Sequence, residues 1–214
     1  MVKIKICGLT NLEDALKACE YGADLLGFLF APESPRYVDA ELVKKIIKEI
    51  PRGVEKVGLF KDQALDEVVK NVMDCGLSAV QLHGNESPEY CGDLIDRLEQ
   101  EGRGIKVIKT FKVKYKILAS MPLEAYEAAD YYLFDTFHPK MMGGTGVKFD
   151  WEILKDFKGE RPFFLAGGLT PGNVEEAIKK VRPYGVDVSS GVERAIGEKD
   201  EKKVKEFIQN AKKA

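Results

Sequence analysis

The chain has few of the residues from which metal sites and disulfide frameworks are built. It contains two histidines and four cysteines, and the cysteines stand far apart, at positions 7, 19, 75 and 91, with no CxxC pair. This distribution predicts reduced thiols in the cytoplasm and no zinc site. The sequence also lacks a signal-peptide pattern before its first apolar run, and no run reaches membrane-spanning length.

An excess of charge of one sign is missing as well. The chain has 33 Lys and Arg against 35 Asp and Glu, for a net charge of −2. These charges alternate along amphipathic stretches such as 41–49 and 198–205, as they do on ordinary exposed helix faces. We therefore expect neither a nucleic-acid partner nor a membrane partner. The sequence leaves the assembly open between a monomer and a homodimer.

What the chain does have is a repeated alternation of two sequence patterns over 214 residues, of which 44% are hydrophobic. Short β-branched or apolar runs are followed by longer amphipathic stretches. The predicted strands are 2–6, 24–30, 54–60, 79–83, 105–110, 131–135, 163–166 and 186–189. The predicted helices are 12–21, 40–49, 66–75, 88–101, 123–129, 151–157, 173–181 and 201–212, and 112–122 is the least regular segment.

Eight βα repeats of about 25 residues predict an α/β fold with a closed parallel sheet, a (βα)8 TIM barrel that forms one domain over residues 1–214. An open doubly wound sheet is the alternative. Such a sheet usually carries a Gly-rich phosphate loop after its first strand. Here that turn reads Cys7-Gly8-Leu9-Thr10 and does not match.

In a barrel, the carboxyl ends of all strands meet at one face, where ligands bind. Cys7 ends the first strand, and a thiol with a lowered pKa can remove a carbon-bound proton. Asp135 follows four apolar or aromatic residues, so desolvation is expected to raise its pKa and favour a proton donor. The plainer interpretations are a small buried hydrophobic residue for Cys7 and a loop cap for Asp135.

Other strand ends carry groups suited to anions and hydroxyls. Arg36 lies in a loop stiffened by two prolines and could hold a carboxylate or phosphate, or make a surface ion pair. The loops after strands seven and eight contain small residues whose N–H groups can surround a phosphate, and barrel phosphate sites commonly lie there. The residues expected to bind phosphate are Gly167, Gly168, Ser190 and Gly191. The loop 143–146 is Gly-rich too, and could either close over a ligand or be a plain connector.

The fourth and first strands add three more candidates. Gln81 and His83 share one face, and we expect His83 to hydrogen-bond a substrate oxygen rather than act as acid or base. Lys5 shares the parity of Cys7, so its ammonium could favour the thiolate. Alternatively, Lys5 pairs with a carboxylate inside the barrel, such as Asp187, without affecting the thiol.

Together these motifs resemble those of phosphoribosylanthranilate isomerase, an enzyme family of tryptophan biosynthesis. They occur in the family's order and cover essentially the whole chain. The matching segments are Lys5-Ile6-Cys7-Gly8-Leu9-Thr10, Ser34-Pro35-Arg36-Tyr37-Val38, Gln81-Leu82-His83-Gly84, Asp135-Thr136, Gly143-Gly144-Thr145-Gly146, Phe149-Asp150-Trp151, Ala166-Gly167-Gly168-Leu169 and Asp187-Val188-Ser189-Ser190-Gly191-Val192-Glu193. One departure is Ile196-Gly197, where the family usually has Pro-Gly.

The resemblance implies a barrel that needs neither cofactor nor metal. It implies an Amadori rearrangement of a phosphorylated ribosyl amine, with Cys7 as general base and Asp135 as general acid. Arg36 would face the anthranilate carboxylate, and Gln81, His83 and Asp187 would contact the substrate. The backbone near the four phosphate-loop residues would hold the phosphate.

Two other classes of function remain open at this stage. A Schiff-base aldolase needs a buried lysine near a strand end, and Lys109 is a candidate whose parity the sequence leaves ambiguous. The related histidine-pathway isomerase has a carboxylate where this chain has Cys7. A protein that only binds phosphorylated ligands would need Arg36 and the glycines but not Cys7 with Asp135.

Overall fold

The computed structural model describes residues 1–113, 122–135, 151–155, 157 and 159–214. Eight parallel strands close into a barrel in the order β1 to β8, with β8 paired to β1. The predicted closed (βα)8 barrel is therefore confirmed. The strands are β1 Lys3–Cys7, β2 Leu25–Leu29, β3 Glu55–Phe60, β4 Ala79–Leu82, β5 Lys106–Lys112, β6 Tyr131–Asp135, β7 Phe163–Ala166 and β8 Gly185–Val188.

Within the described residues, seven α-helices lie outside this barrel. They are α1 Leu12–Tyr21, α2 Ala40–Glu49, α3 Leu65–Cys75, α4 Pro88–Gln100, α5 Glu152–Lys155, α6 Val174–Val181 and α7 Glu201–Lys213. Four of them begin at a polar cap whose side chain accepts a hydrogen bond from a backbone N–H of the first turn. These caps are Asn11, Asp39, Ser87 and Asp200. No helix in the described part of the chain is long and apolar enough to cross a membrane.

The alternation of side chains along each strand divides the core into two layers. One parity points inward and fills the lower barrel with a small apolar cluster that includes Leu25, Val57, Ile108 and Leu133. The opposite parity points outward and packs against the helices in a much larger cluster. Because the inner cluster fills the barrel below, the inward-facing residues at the carboxyl ends of the strands are free to form a site.

The segment before β6 differs from the prediction of a helix over 123–129. It contains only a single 3₁₀ turn, Leu123–Tyr126. The phenol of Tyr132 donates to the carbonyl of Leu123 at 2.7 Å, and Asp130 accepts from the backbone of Val107 at 2.9 Å. These bonds tie both ends of the segment to the barrel wall, and between them the chain makes a 3₁₀ turn instead of an α-helix.

The region after β8 contains an element that was not predicted. A 3₁₀ turn, Ser190–Val192, leads into an antiparallel hairpin of β9 Glu193–Ala195 and β10 Glu198–Lys199. The family departure Ile196-Gly197 forms the turn of this hairpin. The predicted loop at 143–146 and most of the irregular segment 112–122 lie outside the described residues.

Candidate active site

Ten of the residues singled out in the sequence meet at one cavity. It has a volume of about 390 Å³ and opens at the carboxyl ends of the strands. The alternation of side chains along the strands explains this convergence in part, because Cys7, Gln81 and Asp187 all occupy inward-facing positions of their strands. The lining includes Cys7, Arg36, Gln81, His83, Asp135, Gly167, Gly168, Asp187, Ser190 and Gly191.

Cys7 lies at the base of the cavity beside two charged groups. Its side chain is buried, and burial raises the pKa of the Cys7 thiol, while the neighbouring Lys5 ammonium lowers that pKa and only partly offsets the burial. Lys5 is fully buried and donates to the Asp187 carboxylate at 3.0 Å. Lys5 therefore pairs with Asp187, as the second interpretation expected, but its charge also acts on the Cys7 thiol, which that interpretation had excluded.

A hydrogen-bonded row of polar side chains runs from β4 toward Asp135. The Gln81 amide nitrogen contacts the Thr110 hydroxyl at 3.2 Å and the His83 Nδ1 at 3.3 Å. The Gln81 Oε1 is buried and has no hydrogen-bond partner among the described residues, so a ligand hydroxyl in the cavity could donate to it.

His83 lies between this row and Asp135. Its Nε2 is 3.8 Å from an Asp135 carboxylate oxygen. Burial, helped by the positive charge of Lys112, lowers the pKa of His83 to about 4. The imidazole is therefore neutral at pH 7. In this form it can donate one hydrogen bond and accept another, but it is poorly suited to serve as the general acid.

The loops after β7 and β8 approach each other closely on the opposite side of the cavity. A Cβ atom at Gly191 would lie 1.8 Å from the Leu169 carbonyl oxygen, so only glycine permits this approach. The approach places the turn Ser190–Val192 beside Gly167 and Gly168, and all four predicted phosphate residues line the same wall. Backbone N–H groups gathered in this way are suited to an oxyanion.

Arg36 reaches the cavity from the loop after β2. Its Nε and Nη2 donate to the two carboxylate oxygens of Glu193 at 2.7 and 2.6 Å. This bidentate pair raises the pKa of Arg36 and keeps the guanidinium charged. Arg36 thus lines the cavity and also makes an ion pair, which was the alternative interpretation of this residue, but the sequence did not indicate Glu193 as its partner.

Sequence reasoning missed Glu193 and Lys199. Glu193 stood at the end of the last matching motif, where the resemblance gave it no role. Lys199 had no signal at all, because it is one of several lysines in a strongly charged segment. It is nevertheless 3% exposed, and its ammonium binds Glu193 at 3.0 Å and the Cys7 carbonyl at 2.6 Å.

The lysine expected for an aldolase points away from the cavity. Lys109 is on the outward face of β5, next to the inward Ile108, and its ammonium binds Glu86 at 2.6 Å behind the barrel wall. A carbonyl substrate in the cavity cannot reach an amine on the far side of the strand. The aldolase interpretation therefore has no support from Lys109.

Known proteins share both the sequence and the fold of this chain. The family model described as N-(5'phosphoribosyl)anthranilate (PRA) isomerase matches residues 4–210. An N-(5'-phosphoribosyl)anthranilate isomerase of Geobacter sp. (strain M21) is 50% identical over 214 residues, which is 100% of this chain and 99% of that protein.

Two solved structures cover this chain and are covered by it completely. The phosphoribosylanthranilate isomerase of Thermotoga maritima superimposes with a TM-score of 0.90 at 42% identity. A phosphoribosylanthranilate isomerase in complex with reduced 1-(o-carboxyphenylamino)-1-deoxyribulose 5-phosphate superimposes with a TM-score of 0.85 at 40% identity. The match over nearly every residue, in sequence and in fold, means that this chain belongs to the N-(5'-phosphoribosyl)anthranilate isomerase family.

Proposed function

We propose that this protein catalyses the Amadori rearrangement of N-(5-phosphoribosyl)anthranilate to 1-(2-carboxyphenylamino)-1-deoxyribulose 5-phosphate in tryptophan biosynthesis. The observation that carries the proposal is the convergence of Cys7, Asp135, Arg36 and the phosphate-loop residues on a single cavity. These groups lie far apart in the sequence. Their convergence supplies an acid, a base and two anion grips, which this substrate needs.

The grips orient the substrate. The loops containing Gly167, Gly168, Ser190 and Gly191 would hold the phosphate through backbone N–H groups, and Arg36 would hold the anthranilate carboxylate. Holding both ends places the pentose between the acid and the base, which lowers the entropic cost of the reaction.

Asp135 would act first, as the general acid. Opening the furanose ring requires a proton on the ring oxygen while the C–O bond breaks, and a carboxylic acid can supply it. The neutral His83 beside Asp135 would hydrogen-bond a sugar oxygen, and the unpaired Gln81 Oε1 would accept from a sugar hydroxyl. Asp187, at an inward-facing position of β8, would contact the same part of the ligand.

Cys7 would act second, as the general base. The ring-opened ligand is a protonated Schiff base, and its positive charge would lower the pKa of the Cys7 thiol that burial has raised. The thiolate would take the C2′ proton, which the iminium makes acidic, and the resulting enolamine would tautomerise to the ketone. The substrate nitrogen serves as the electron sink, so the proposed reaction needs neither a cofactor nor a metal.

The test is a fluorescence assay that follows the loss of phosphoribosylanthranilate. Cys7→Ser and Asp135→Asn should each lower kcat by at least about a hundredfold, the usual contribution of a general acid or base. Cys19→Ser on α1 and the exposed Asp66→Asn on α3 are matched controls outside the cavity and should remain near wild type. Near-normal turnover in either cavity variant would refute the role assigned to that residue.

The proposal also covers assembly and location. It is compatible with a monomer and with a homodimer, and the phosphoribosylanthranilate isomerase of Thermotoga maritima is dimeric. A cytoplasmic location agrees with four cysteines that are all free thiols.

A further inference from the structure

Two buried charged residues behind Arg36 have no part in the chemistry proposed above. Glu193 on β9 and Lys199 on β10 are 9% and 3% exposed, and they are register partners in the small hairpin. Burying charged groups is costly unless each has close partners. Their contacts therefore show what the hairpin holds in place.

Glu193 fixes the orientation of the Arg36 guanidinium. Its two carboxylate oxygens accept from Nε and Nη2, which occupies one edge of the guanidinium plane. A guanidinium has five N–H donors, and a second edge, formed by Nη1 and Nη2, can bind another carboxylate. That second edge has no hydrogen-bond partner among the described residues, and Arg36 lines the cavity.

Lys199 connects this pair to the strand ends that carry the base and the phosphate loop. The ladder between β1 and β8 ends at Ile6 and Val188. Immediately beyond it, the Lys199 ammonium donates to the Cys7 carbonyl at 2.6 Å and to the Ser189 carbonyl at 3.2 Å. The ammonium therefore bridges the ends of β1 and β8 just beyond their last register pair.

The stem of Arg36 is also fitted to the end of β1. A Cβ atom at Gly8 would lie 2.7 Å from the Arg36 Cδ and 2.8 Å from the Ser189 hydroxyl. Gly8 has φ of +76°, in the left-handed region that glycine adopts at little cost. The side chain of Arg36 therefore crosses directly over the turn that follows Cys7, and its guanidinium meets Glu193 on the other side.

The charges of the cluster favour an anion at the cavity. Two cations, Arg36 and Lys199, share the single carboxylate of Glu193, so the group has one net positive charge. Burial alone would raise the pKa of Glu193, but the hydrogen bonds from Arg36 and the charge of Lys199 outweigh it and hold that pKa below its ordinary value. Glu193 thus remains ionised and orients Arg36 without cancelling the positive charge of the cluster.

We infer that Glu193, held by Lys199, is a positioning residue that selects for the carboxylate of the substrate by presenting the free edge of Arg36 to the cavity. This inference rests on the proposed function, which assigns the anthranilate carboxylate to Arg36. It adds a specificity determinant on the β9–β10 hairpin, whose residues are not among those that line the cavity.

The test compares a ligand that carries the carboxyphenyl group with one that lacks the whole group. Glu193→Gln should weaken binding of reduced 1-(o-carboxyphenylamino)-1-deoxyribulose 5-phosphate by about tenfold or more, the range for a charge-assisted hydrogen bond. The affinity for ribulose 5-phosphate, which lacks the carboxyphenyl group, should be unchanged. Calorimetry measures both affinities. In turnover, KM should rise while kcat changes little, because the contact is made equally in ground and transition states.

A double-mutant cycle shows whether Glu193 acts through Arg36. In the Arg36→Met background, Glu193→Gln should cause no further loss of affinity for the carboxylated ligand. Glu198→Gln is the matched control, because it removes a carboxylate of the same hairpin whose one ion-pair partner within the described part of the chain is the exposed Arg194. If Glu193→Gln folds poorly, Glu193→Asp is the second variant, because it keeps the charge but shortens the side chain by one methylene. It should also weaken binding of the carboxylated ligand and leave binding of ribulose 5-phosphate unchanged.

Equal weakening of both ligands by Glu193→Gln or Glu193→Asp would overturn the inference, because it would mean that the hairpin only supports the fold. Wild-type affinity for both ligands would overturn it too. An Arg36→Met variant that binds the carboxylated ligand normally would instead refute the role of Arg36 in the proposed function. The two failures are therefore distinguishable.

Discussion

At the scale of single residues, the site depends on how much charge can be buried beside one thiol. Cys7 is enclosed by the barrel, and burial raises its pKa more than the Lys5 ammonium lowers it. Asp187, the partner of Lys5, also acts against the thiolate. The reactivity of Cys7 is therefore set by its neighbours within the barrel, and each neighbour has a direction that can be measured.

Removal of the Lys5 ammonium should make the thiol less acidic. In Lys5→Met, we expect the pKa of Cys7 to rise further above the ordinary value, because a favourable charge next to the thiolate is lost. The measurement is the pH dependence of iodoacetamide alkylation of the peptide that contains Cys7, read by mass spectrometry. In the wild type, the rate should still be rising above pH 9, since that pKa is already raised.

The control for this experiment lies on the same strand. Lys3→Met removes an ammonium that pairs with Asp24 at the partly exposed, opposite end of β1, and it should leave the Cys7 profile unchanged. Asp187→Asn should shift the profile toward lower pH. An unaltered profile in Lys5→Met would contradict the electrostatic role of Lys5.

At the scale of elements, the loop between β4 and α4 is held by an ion pair on the outer side of the barrel. Lys109 and Glu86 have side chains that are 3% and 1% exposed, and their charged atoms are 2.6 Å apart. Glu86 also accepts from the backbone N–H groups of Asp62 and Gly84, and Lys109 donates to the Gly84 carbonyl. This loop directly follows His83, so the pair fixes the end of β4 at the cavity.

Breaking this pair should destabilise the protein strongly. Lys109→Met leaves the Glu86 carboxylate buried without its cation, which costs about 3–5 kcal/mol of unfolding free energy. Urea denaturation measures this loss. The double variant Lys109→Met/Glu86→Gln should recover part of it, because no unpaired charge remains.

A second lysine of β5 provides the contrast. Lys106→Met removes the exposed pair with Asp130, and we expect a much smaller change in unfolding free energy. If Lys109→Met were no more destabilising than Lys106→Met, the loop would not depend on the buried pair.

At the scale of the whole molecule, closure of the barrel requires the last helix to meet the first. The helix α7 packs against both α1 and α6, beside the pairing of β1 with β8. Its side chains Phe207 and Ile208 are fully buried in the outer core. The helix α7 thus covers the seam of the barrel, meaning the junction of β1 with β8, and Cys7 and the phosphate loops lie at the same junction.

Truncation of the largest side chain at this seam should weaken the entire fold. Phe207→Ala should lower the unfolding free energy by about 3–5 kcal/mol, because it removes buried surface and leaves a cavity. Urea unfolding should remain a single transition with an earlier midpoint. The neighbouring Glu206→Ala changes an exposed side chain of the same helix and should have little effect; an equal effect of both variants would mean that α7 is not part of the cooperative core.

The order of the elements and the layout of the cavity could be predicted from local sequence. Alternating apolar and amphipathic segments are a local property, so eight strands were found within a few residues of their observed bounds. Parity and strand ends then placed Cys7, Gln81 and Asp135 at one face, since parallel strands in a barrel all point their carboxyl ends the same way. The predicted helix over 123–129 was wrong, because this segment makes only a 3₁₀ turn between residues that bond to the barrel wall.

The sequence by itself determined the alternation of strands and helices, and with it the face at which the candidate acid, base and phosphate loops would meet. Only the tertiary structure decided which charged groups pair there. Lys109 was ambiguous until its strand showed which side faces the helices, and Lys199 looked like any surface lysine until the hairpin buried it behind Cys7. The physical reason is that the hydrophobic periodicity of a strand or helix depends on neighbouring residues. The partner of a buried charge instead lies on another segment, which only the closed barrel brings near.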